Sequence, residues 1–338
     1  MTMVFDGHND VLLRLLQQGD KTGASFIRGD GGGHLDLPRA RQGGFAGGLF
    51  AMFTPAPDKP GGILNTDPVE HGEALKATEA MFSVAEHLAA DHPDDIRICR
   101  NVSDIHSAST SGQMAMMLHI EGAEAIRPDL SNLDVFYDRG LRSLGPAWSR
   151  PNAFAHGVPF VFPSSPDIGP GLTPEGKELV KACLKKHIMI DLSHMNEAGF
   201  WDIEKLSSAP LVATHSNIHR ICAASRNLTD HQLDAIAASN GLVGINFAVG
   251  FLRPDGQKNP VMPVEVIIQH LDYLITRLGE NGIALGSDFD GTEMPTDLSS
   301  AKELPHLVNA MEKAGFGKEL IHRICFQNWI DMIAKVIG

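Results

Sequence analysis

Histidine and carboxylate side chains stand at the ends of several short apolar runs of this sequence. They are His8, Asp10, Glu121, His194, His215 and Asp288. Imidazole nitrogens and carboxylate oxygens are the ligands that zinc and similar divalent metals take in catalytic sites, where one position stays open for water. If the runs are parallel strands whose carboxyl ends meet at one edge, the sequence predicts a metal centre at that edge.

The residues that end the first two of these apolar runs, His8 with Asp10 and then Glu121, can each be interpreted as metal ligands or as structural residues. His8 and Asp10 are two residues apart, so in an extended strand both point the same way and can bind one ion. Alternatively, the histidine closes a strand and the aspartate caps a turn. Glu121 ends an apolar run, where a buried carboxylate needs a counter-charge or a metal. Bridging two cations would satisfy both of its oxygens, whereas the alternative is an ion pair with an arginine such as Arg142.

Four further residues complete the candidate site. His194 and His215 close neighbouring predicted strands, which places their imidazoles side by side; the alternative is a pair of satisfied core histidines. Asp288 ends the last predicted strand, next to the first in a closed barrel, and is the candidate proton carrier unless it caps a helix. Arg226 can grip a substrate carboxylate through two hydrogen bonds, unless it is a solvated loop residue paired with Asp230.

Short apolar runs alternate with longer helical patterns, as in chains built from βα units around a parallel sheet. Strands are predicted at 3–10, 45–53, 114–121, 141–147, 188–194, 211–215, 242–247 and 283–288. Helices are predicted at 68–90, 173–186, 229–238, 263–278 and 318–336, and long loops at 55–62 and 151–170. The pattern predicts an α/β fold, a (β/α)8 TIM-type barrel, with a doubly wound open sheet as the alternative.

Composition narrows the classes of function. The chain has 338 residues, 43% of them hydrophobic, and we expect a single barrel domain over residues 1–338. The net charge of −13, without a lysine or arginine cluster, argues against a nucleic-acid partner. We expect no membrane partner, since no run approaches the roughly 20 apolar residues of a membrane span and the N-terminus lacks signal-peptide features. The four cysteines form no C-x-x-C pair and suggest no disulfide scaffold, which favours a reducing, cytoplasmic location. We expect a homodimer, since this is the most common assembly of soluble proteins.

Six short motifs resemble the membrane (renal) dipeptidase family, peptidase family M19, in their order and approximate spacing. They are Asp-Gly-His-Asn-Asp, His-Ile-Glu-Gly, Asp-Leu-Ser-His, Thr-His-Ser-Asn, Ser-Arg-Asn and Gly-Ser-Asp-Phe-Asp-Gly. The resemblance runs from Asp6 to the C-terminal Gln327-Asn328-Trp329. It implies a barrel of the metal-dependent amidohydrolase type with a binuclear zinc centre, although manganese and cobalt suit the same ligands.

The resemblance also implies a role for each candidate ligand. His8 and Asp10 would bind one zinc ion, and His194 and His215 would bind the other. Glu121 would bridge the two ions and so take part in catalysis.

The implied reaction is hydrolysis of the peptide bond of a short peptide substrate by a hydroxide that the two zinc ions share. Dipeptides are the expected substrates, including those with a D-residue at the C-terminal position. Asp288 would take the proton and return it to the leaving amine, and Arg226 would hold the terminal carboxylate. The alternatives are a related amidohydrolase that acts on a cyclic amide, a lactone or an N-acyl amino acid, and a non-catalytic metal-binding barrel.

One region departs from the better-known members of that family. Trp148 stands where they carry a histidine that contacts the substrate carbonyl, and tryptophan donates one N–H but carries no positive charge. Asn152 and His156, in the following loop, are further candidates for substrate contact. Ala248 and Phe251 stand where those members have tyrosines. We therefore expect substrate preference to be set by these positions.

Overall fold

Parallel strands form the centre of the computed structural model, which describes residues 2–56 and 66–338. The strands are β1 (Val4–Asn9), β2 (Phe45–Phe53), β3 (Ile96–Ile98), β4 (Met114–Glu121), β5 (Leu141–Gly145), β6 (Met189–Ile190), β7 (Val212–Ser216), β8 (Leu242–Ile245) and β9 (Ile283–Leu285). The predicted loop at 55–62 lies mostly outside the described residues. Each of the eight predicted strands overlaps one of the observed strands, and β7 extends one residue beyond its predicted end.

The strands close into a ring. Eight of them follow one another in the order β6-β5-β4-β2-β1-β9-β8-β7. A parallel bridge between Asp191 and Val212, with the Leu192 N–H donating to the Val212 carbonyl, joins the two ends of this path. The predicted (β/α)8 barrel is therefore confirmed, and the open sheet is excluded. The short strand β3, which the apolar pattern did not predict, pairs beside the ring with the first residues of β4.

The strand predicted at 188–194 is shorter than expected. Its hydrogen-bonded part is limited to two residues because the Asp191 carboxylate accepts hydrogen bonds from the N–H groups of Ser193 and Thr214. His194 then adopts a left-handed backbone conformation with φ of 66°, which ends the extended chain. The strand end that carries a candidate ligand is thus shaped by polar contacts that a hydrophobic pattern does not report.

Helices surround the barrel and connect its strands. They are α1 (Val11–Gln17), α2 (Ala24–Arg28), α3 (Leu37–Gly43), α4 (His71–Asp91), α5 (Val102–Thr110), α6 (Leu133–Asp138), α7 (Pro174–Lys185), α8 (Glu197–Leu206), α9 (Asp230–Ala238), α10 (Val249–Leu252), α11 (Glu265–Leu278), α12 (Leu304–Lys313), α13 (Lys318–His322) and α14 (Asn328–Val336). The helix predicted at 318–336 contains a π-helical turn, Arg323–Gln327, between α13 and α14. None of the helices in the described ranges is long and apolar enough to cross a membrane.

Several helices begin at a polar residue that accepts a hydrogen bond from the first helical turn, which satisfies an otherwise free backbone N–H. These residues are Asp36, Asn101, Thr173, Asn196 and Thr229. Thr173 and Thr229 are the residues at which the helices predicted at 173–186 and 229–238 begin. Local signals therefore fix where these helices start relative to the barrel strands.

Apolar side chains and the C-terminal helix fill the amino end of the barrel. One buried cluster combines inward residues of the strands with α14, among them Phe5, Met117 and Trp329. The Trp329 indole is fully buried and donates its N–H to the Leu285 carbonyl at 2.8 Å. A Cβ at Gly7 would lie 2.5 Å from the Trp329 ring, so the glycine makes room for it. This packing leaves the opposite, carboxyl end of the barrel for polar side chains.

Replacing Trp329 by alanine should destabilise the protein by about 3–5 kcal/mol, because the change opens a cavity and removes the hydrogen bond to Leu285. Trp329→Phe, which keeps most of the ring volume, should cost less. Thermal and urea unfolding followed by circular dichroism measures both. Lys335→Ala, at an exposed position of the same helix, is the control. Equal stability of Trp329→Ala and the control would contradict this role for α14.

Candidate metal centre

The structure brings together the side chains predicted as metal ligands at the carboxyl end of the barrel. All of them are buried. One group consists of His8, Asp10 and Glu121, and a second consists of Glu121, His194 and His215; within each group the ligand atoms lie within 4.8 Å of one another. These are the two groups that the family resemblance implies, and they share one carboxylate.

Glu121 lies at the centre of this cluster. Its Oε1 atom is 3.6 Å from His8 Nε2, 3.0 Å from His194 Nε2 and 3.4 Å from His215 Nε2. Burial raises the pKa of Glu121 well above its usual value, and the positive charge of His8 opposes that rise. The alternative ion pair with Arg142 is not formed, because that guanidinium donates to backbone carbonyls instead.

The first group fits a metal ion. Within the described ranges, neither ring nitrogen of His8 has a hydrogen-bond partner, although the side chain is completely buried. Burial lowers the pKa of His8, but the carboxylates of Glu121 and Asp10 raise it to about 10. The cluster thus favours a positive charge at this point. A divalent cation supplies that charge and also gives the imidazole nitrogen a ligand to bind.

The second group presents neutral imidazoles. Burial, followed by the positive charges of neighbouring groups, lowers the pKa of His194 and His215 well below the usual value. The Ser149 hydroxyl lies 2.8 Å from His194 Nδ1, and the Thr214 hydroxyl lies 2.9 Å from His215 Nδ1. Because these contacts orient the rings, both Nε2 atoms are directed to Glu121. Neutral, oriented histidines are the form that metals bind.

A polar network below the ligands was not predicted from the sequence. The Asp191 carboxylate accepts hydrogen bonds from the Thr214 N–H at 2.8 Å and the Thr214 hydroxyl at 2.6 Å. His119 Nε2 lies 3.7 Å from the same carboxylate, and its Nδ1 lies 2.9 Å from the Ser143 hydroxyl. Strand alternation was the available signal, since His119 is two residues before Glu121 and shares its face. Burial lowers the pKa of His119 to about 3.

Asp288 lies beside the ligand cluster and lines the cavity above it. Its Oδ2 accepts a hydrogen bond of 2.8 Å from the Asn246 amide, and burial raises its pKa to about 6, against the opposing charge of His8. The preceding Ser287 donates its N–H and hydroxyl to the Asp6 carboxylate. Asp288 itself has a left-handed φ of 61°. No helix of the described chain begins there, so the capping alternative is excluded.

Arg226 is a buried residue behind the cluster, not a solvated one. It is 4% exposed, and its guanidinium donates to the Ser216 hydroxyl and to the His215 carbonyl, both at 2.9 Å. The alternative pairing with Asp230 is wrong, because Arg277 pairs with that carboxylate. Arg226 Nε has no hydrogen-bond partner among the described residues.

A cavity of about 300 Å³ opens above the cluster. Carboxylates line its floor, and aromatic rings form much of its wall. The Trp148 ring is part of this wall, and its centroid lies 4.8 Å from that of Phe53, 5.3 Å from that of Phe160 and 5.7 Å from that of His194. Ala248 and Phe251 also line the wall. The structure therefore places Trp148 and the two tyrosine-replacing residues where a substrate would contact them.

Asn152, in contrast, is not brought to the cavity wall. Its amide donates to the Pro146 carbonyl at 2.9 Å, and its oxygen accepts hydrogen bonds from the N–H groups of Phe154 and Ala155. All of these contacts organise the loop itself, so the structure does not support a substrate contact for this side chain. His156 does not line the cavity either. Loop geometry of this kind is not encoded in residue type alone.

Comparison with known proteins places the chain in a family. The model of the membrane dipeptidase family, peptidase family M19, matches residues 1–337. The crystal structure of a dipeptidase AC, a metallopeptidase of family M19, is 45% identical and superposes with a TM-score of 0.96, covering 100% of this chain and 99% of that one.

Two further proteins are similar. A metallopeptidase from Rhodobacter sphaeroides, crystallised with a phosphinate mimic of the dipeptide L-Ala-D-Ala, is 43% identical with a TM-score of 0.96, covering 99% of this chain and 100% of that one. An uncharacterized protein of the PQQ-III 3′ region of Acinetobacter calcoaceticus is 44% identical over 283 residues, which are 81% of this chain and 90% of that protein. The chain therefore belongs to the membrane dipeptidase family, peptidase family M19, and is a metallo-dipeptidase.

Proposed function

We propose that this metallo-dipeptidase holds two zinc ions and hydrolyses dipeptides, including those with a D-residue at the C-terminal position. The observation that carries the zinc assignment is Glu121, whose Oε1 atom lies 3.0–3.6 Å from the Nε2 atoms of His8, His194 and His215, so one carboxylate belongs to both ligand groups. The donor set of imidazoles and carboxylates suits zinc, with water in the open position. The stereochemical part of the proposal rests on the Rhodobacter sphaeroides relative, which binds the L-Ala-D-Ala mimic.

The proposal assigns the first ion to His8 and Asp10 and the second to His194 and His215, with Glu121 between them. When bound, the ions activate a water molecule and polarise the scissile carbonyl. We further propose that the chain acts as one barrel domain, in the cytoplasm and as a homodimer. Four free, buried cysteines are consistent with a reducing compartment.

Asp288 is proposed as the group that accepts a proton from the attacking water and delivers it to the leaving amine. The hydrogen bond from Asn246 holds its carboxylate in place, and burial raises its pKa toward neutrality, which suits a group that both accepts and returns a proton. Arg226 does not itself line the cavity, but its buried guanidinium lies behind the cluster, and its unpartnered Nε is the donor proposed to hold the terminal carboxylate. The aromatic wall around Trp148 excludes water from the reacting groups.

Trp148 favours a second candidate reaction on the same metal centre. Because an indole cannot supply the positive charge of a histidine, an amidohydrolase that acts on a cyclic amide, a lactone or an N-acyl amino acid remains the competing assignment. A panel that contains L,L and L,D dipeptides beside these three classes, with and without chelator, separates the two. Turnover of dipeptides that stops with chelator and returns with zinc supports the proposal, and turnover limited to another class refutes it.

The metal content of Glu121→Gln should fall by at least half, because an amide has only one oxygen to offer and cannot bridge two ions. His8→Ala should lose the first ion and keep much of the second. Plasma emission analysis of the purified proteins measures the zinc per chain. His231→Ala, at an exposed helical position, serves as the control. Full metal content in Glu121→Gln would rule out its bridging role.

Asp288→Asn should lower kcat by about 10²–10⁴-fold while the zinc content stays near that of the unaltered protein, because the change removes the proton acceptor but leaves the proposed ligands. Steady-state kinetics on L-Ala-D-Ala, paired with metal analysis, measures both quantities. Asp297→Asn makes the same chemical change at an exposed position. Turnover of Asp288→Asn comparable to that of this control would exclude the assigned role.

Arg226→Lys should lower kcat/KM for a dipeptide by about 10–100-fold, because lysine keeps the charge but loses the paired donors of the guanidinium. Comparing kcat/KM for this dipeptide with kcat/KM for its C-terminal amide measures the preference for a free carboxylate. The unaltered enzyme should strongly prefer the free carboxylate, and the variant should lose much of that preference. An unchanged preference would show that another group binds the carboxylate.

A further inference from the structure

The cavity carries a lysine that neither the metal centre nor the proposed mechanism uses. Lys258 lies in the loop between α10 and α11 and lines the cavity. A Cβ at Gly250 would lie 3.2 Å from its Cγ and 3.9 Å from its Cε, so the lysine stem rests directly on the glycine. The side chain is exposed. In the part of the chain that the structure describes, its ammonium group has no hydrogen-bond or ion-pair partner.

Among the described residues that line the cavity, Lys258 is the single lysine or arginine. Next to it the wall is apolar, formed by Val249, Phe251 and Phe160, and the Phe160 and Phe251 rings stack with their centroids 5.7 Å apart. An unpaired ammonium at the end of an apolar wall matches a ligand group with a short hydrocarbon stem and a terminal carboxylate. The hydrocarbon stem would bury apolar surface against the two rings, and its carboxylate would pair with the ammonium group.

The position of Lys258 in the barrel indicates which substrate residue it faces. The loop that carries it follows β8, whereas Arg226 follows the neighbouring strand β7. If Arg226 holds the terminal carboxylate, the side chain nearest to Lys258 is that of the C-terminal residue. This step rests on the proposed function.

We propose that Lys258 is a specificity-determining residue that selects dipeptides with an acidic side chain, glutamate above all, at the C-terminal position. Glu293 also lines the cavity and is exposed, and its carbonyl accepts a hydrogen bond from the Val249 N–H. Its carboxylate repels an acidic substrate, so it limits the preference that Lys258 creates. The two side chains together set the charge that this end of the cavity presents.

The test compares alanyl-glutamate with alanyl-glutamine, in L,L and L,D forms, because the two substrates have nearly the same shape and differ in charge. The zinc-loaded enzyme should prefer the glutamate form in kcat/KM by about fivefold at low ionic strength. Lys258→Ala should bring this ratio close to one, Lys258→Glu should invert it, and Lys258→Arg should retain it. Glu293→Gln should increase the ratio. Raising the salt concentration should reduce it, since the ammonium is exposed.

Lys313→Ala, an exposed lysine far along the chain in α12, is the matched control and should keep the ratio of the unaltered enzyme. A ratio that is the same in Lys258→Ala and in the control overturns the proposal. The proposal is also overturned if the kcat/KM ratio of glutamyl-alanine to glutaminyl-alanine exceeds that of alanyl-glutamate to alanyl-glutamine, because the acidic preference would then belong to the N-terminal residue. Calorimetric binding of the same pairs to the zinc-loaded protein gives the ratio without turnover, so a failure of dipeptide hydrolysis is distinguished from a failure of this assignment.

Discussion

The buried carboxylate of Glu121 sets the conditions that the rest of the site has to meet. An isolated anion at the centre of a barrel is strongly unfavourable unless positive charge surrounds it. Three imidazole nitrogens lie within 3.6 Å of its Oε1 atom, and two of those rings are neutral because burial lowers their pKa. The positive charges of His8 and Arg226 face the carboxylates of Glu121, Asp10 and Asp288, so the cluster carries an excess of negative groups that a metal cation would balance.

Polar residues around the cluster hold the histidine rings in the orientation that directs them to Glu121. Ser149 and Thr214 contact the Nδ1 atoms of His194 and His215, which leaves the Nε2 atoms for the metal side. Asp191 in turn holds Thr214 through two hydrogen bonds. Because each ring is held through its second nitrogen, its Nε2 atom keeps a fixed direction toward Glu121.

Strand periodicity explains how much of the site the sequence could predict. Glu121 follows an apolar run that becomes a continuous buried strand, so its place at the barrel rim was predictable. The sequence placed His194 at the carboxyl end of the barrel, where the structure has it, although β6 is shorter than predicted. The length of the strand did not matter, because the prediction needed only the end of the barrel at which the residue lies. Asn152 was misplaced because its contacts with Pro146, Phe154 and Ala155 form within one loop. Such turns depend on backbone geometry that neither residue type nor spacing specifies.

The metal-site residues and the residues of the cavity wall lie on different parts of the barrel. His8, Asp10, Glu121 and His215 lie in or directly after strands of the barrel, and such positions tolerate little displacement. Trp148, Phe251 and Lys258, in contrast, lie on the connecting segments that follow β5 and β8, where substitution changes the wall of the cavity and leaves the ring of strands intact. Lys258 rests on Gly250 of α10 within the single connection from β8 to α11, so its charge can be exchanged without disturbing Glu121 or the histidines. Selection of the substrate side chain is thereby physically separable from the chemistry of the metal centre.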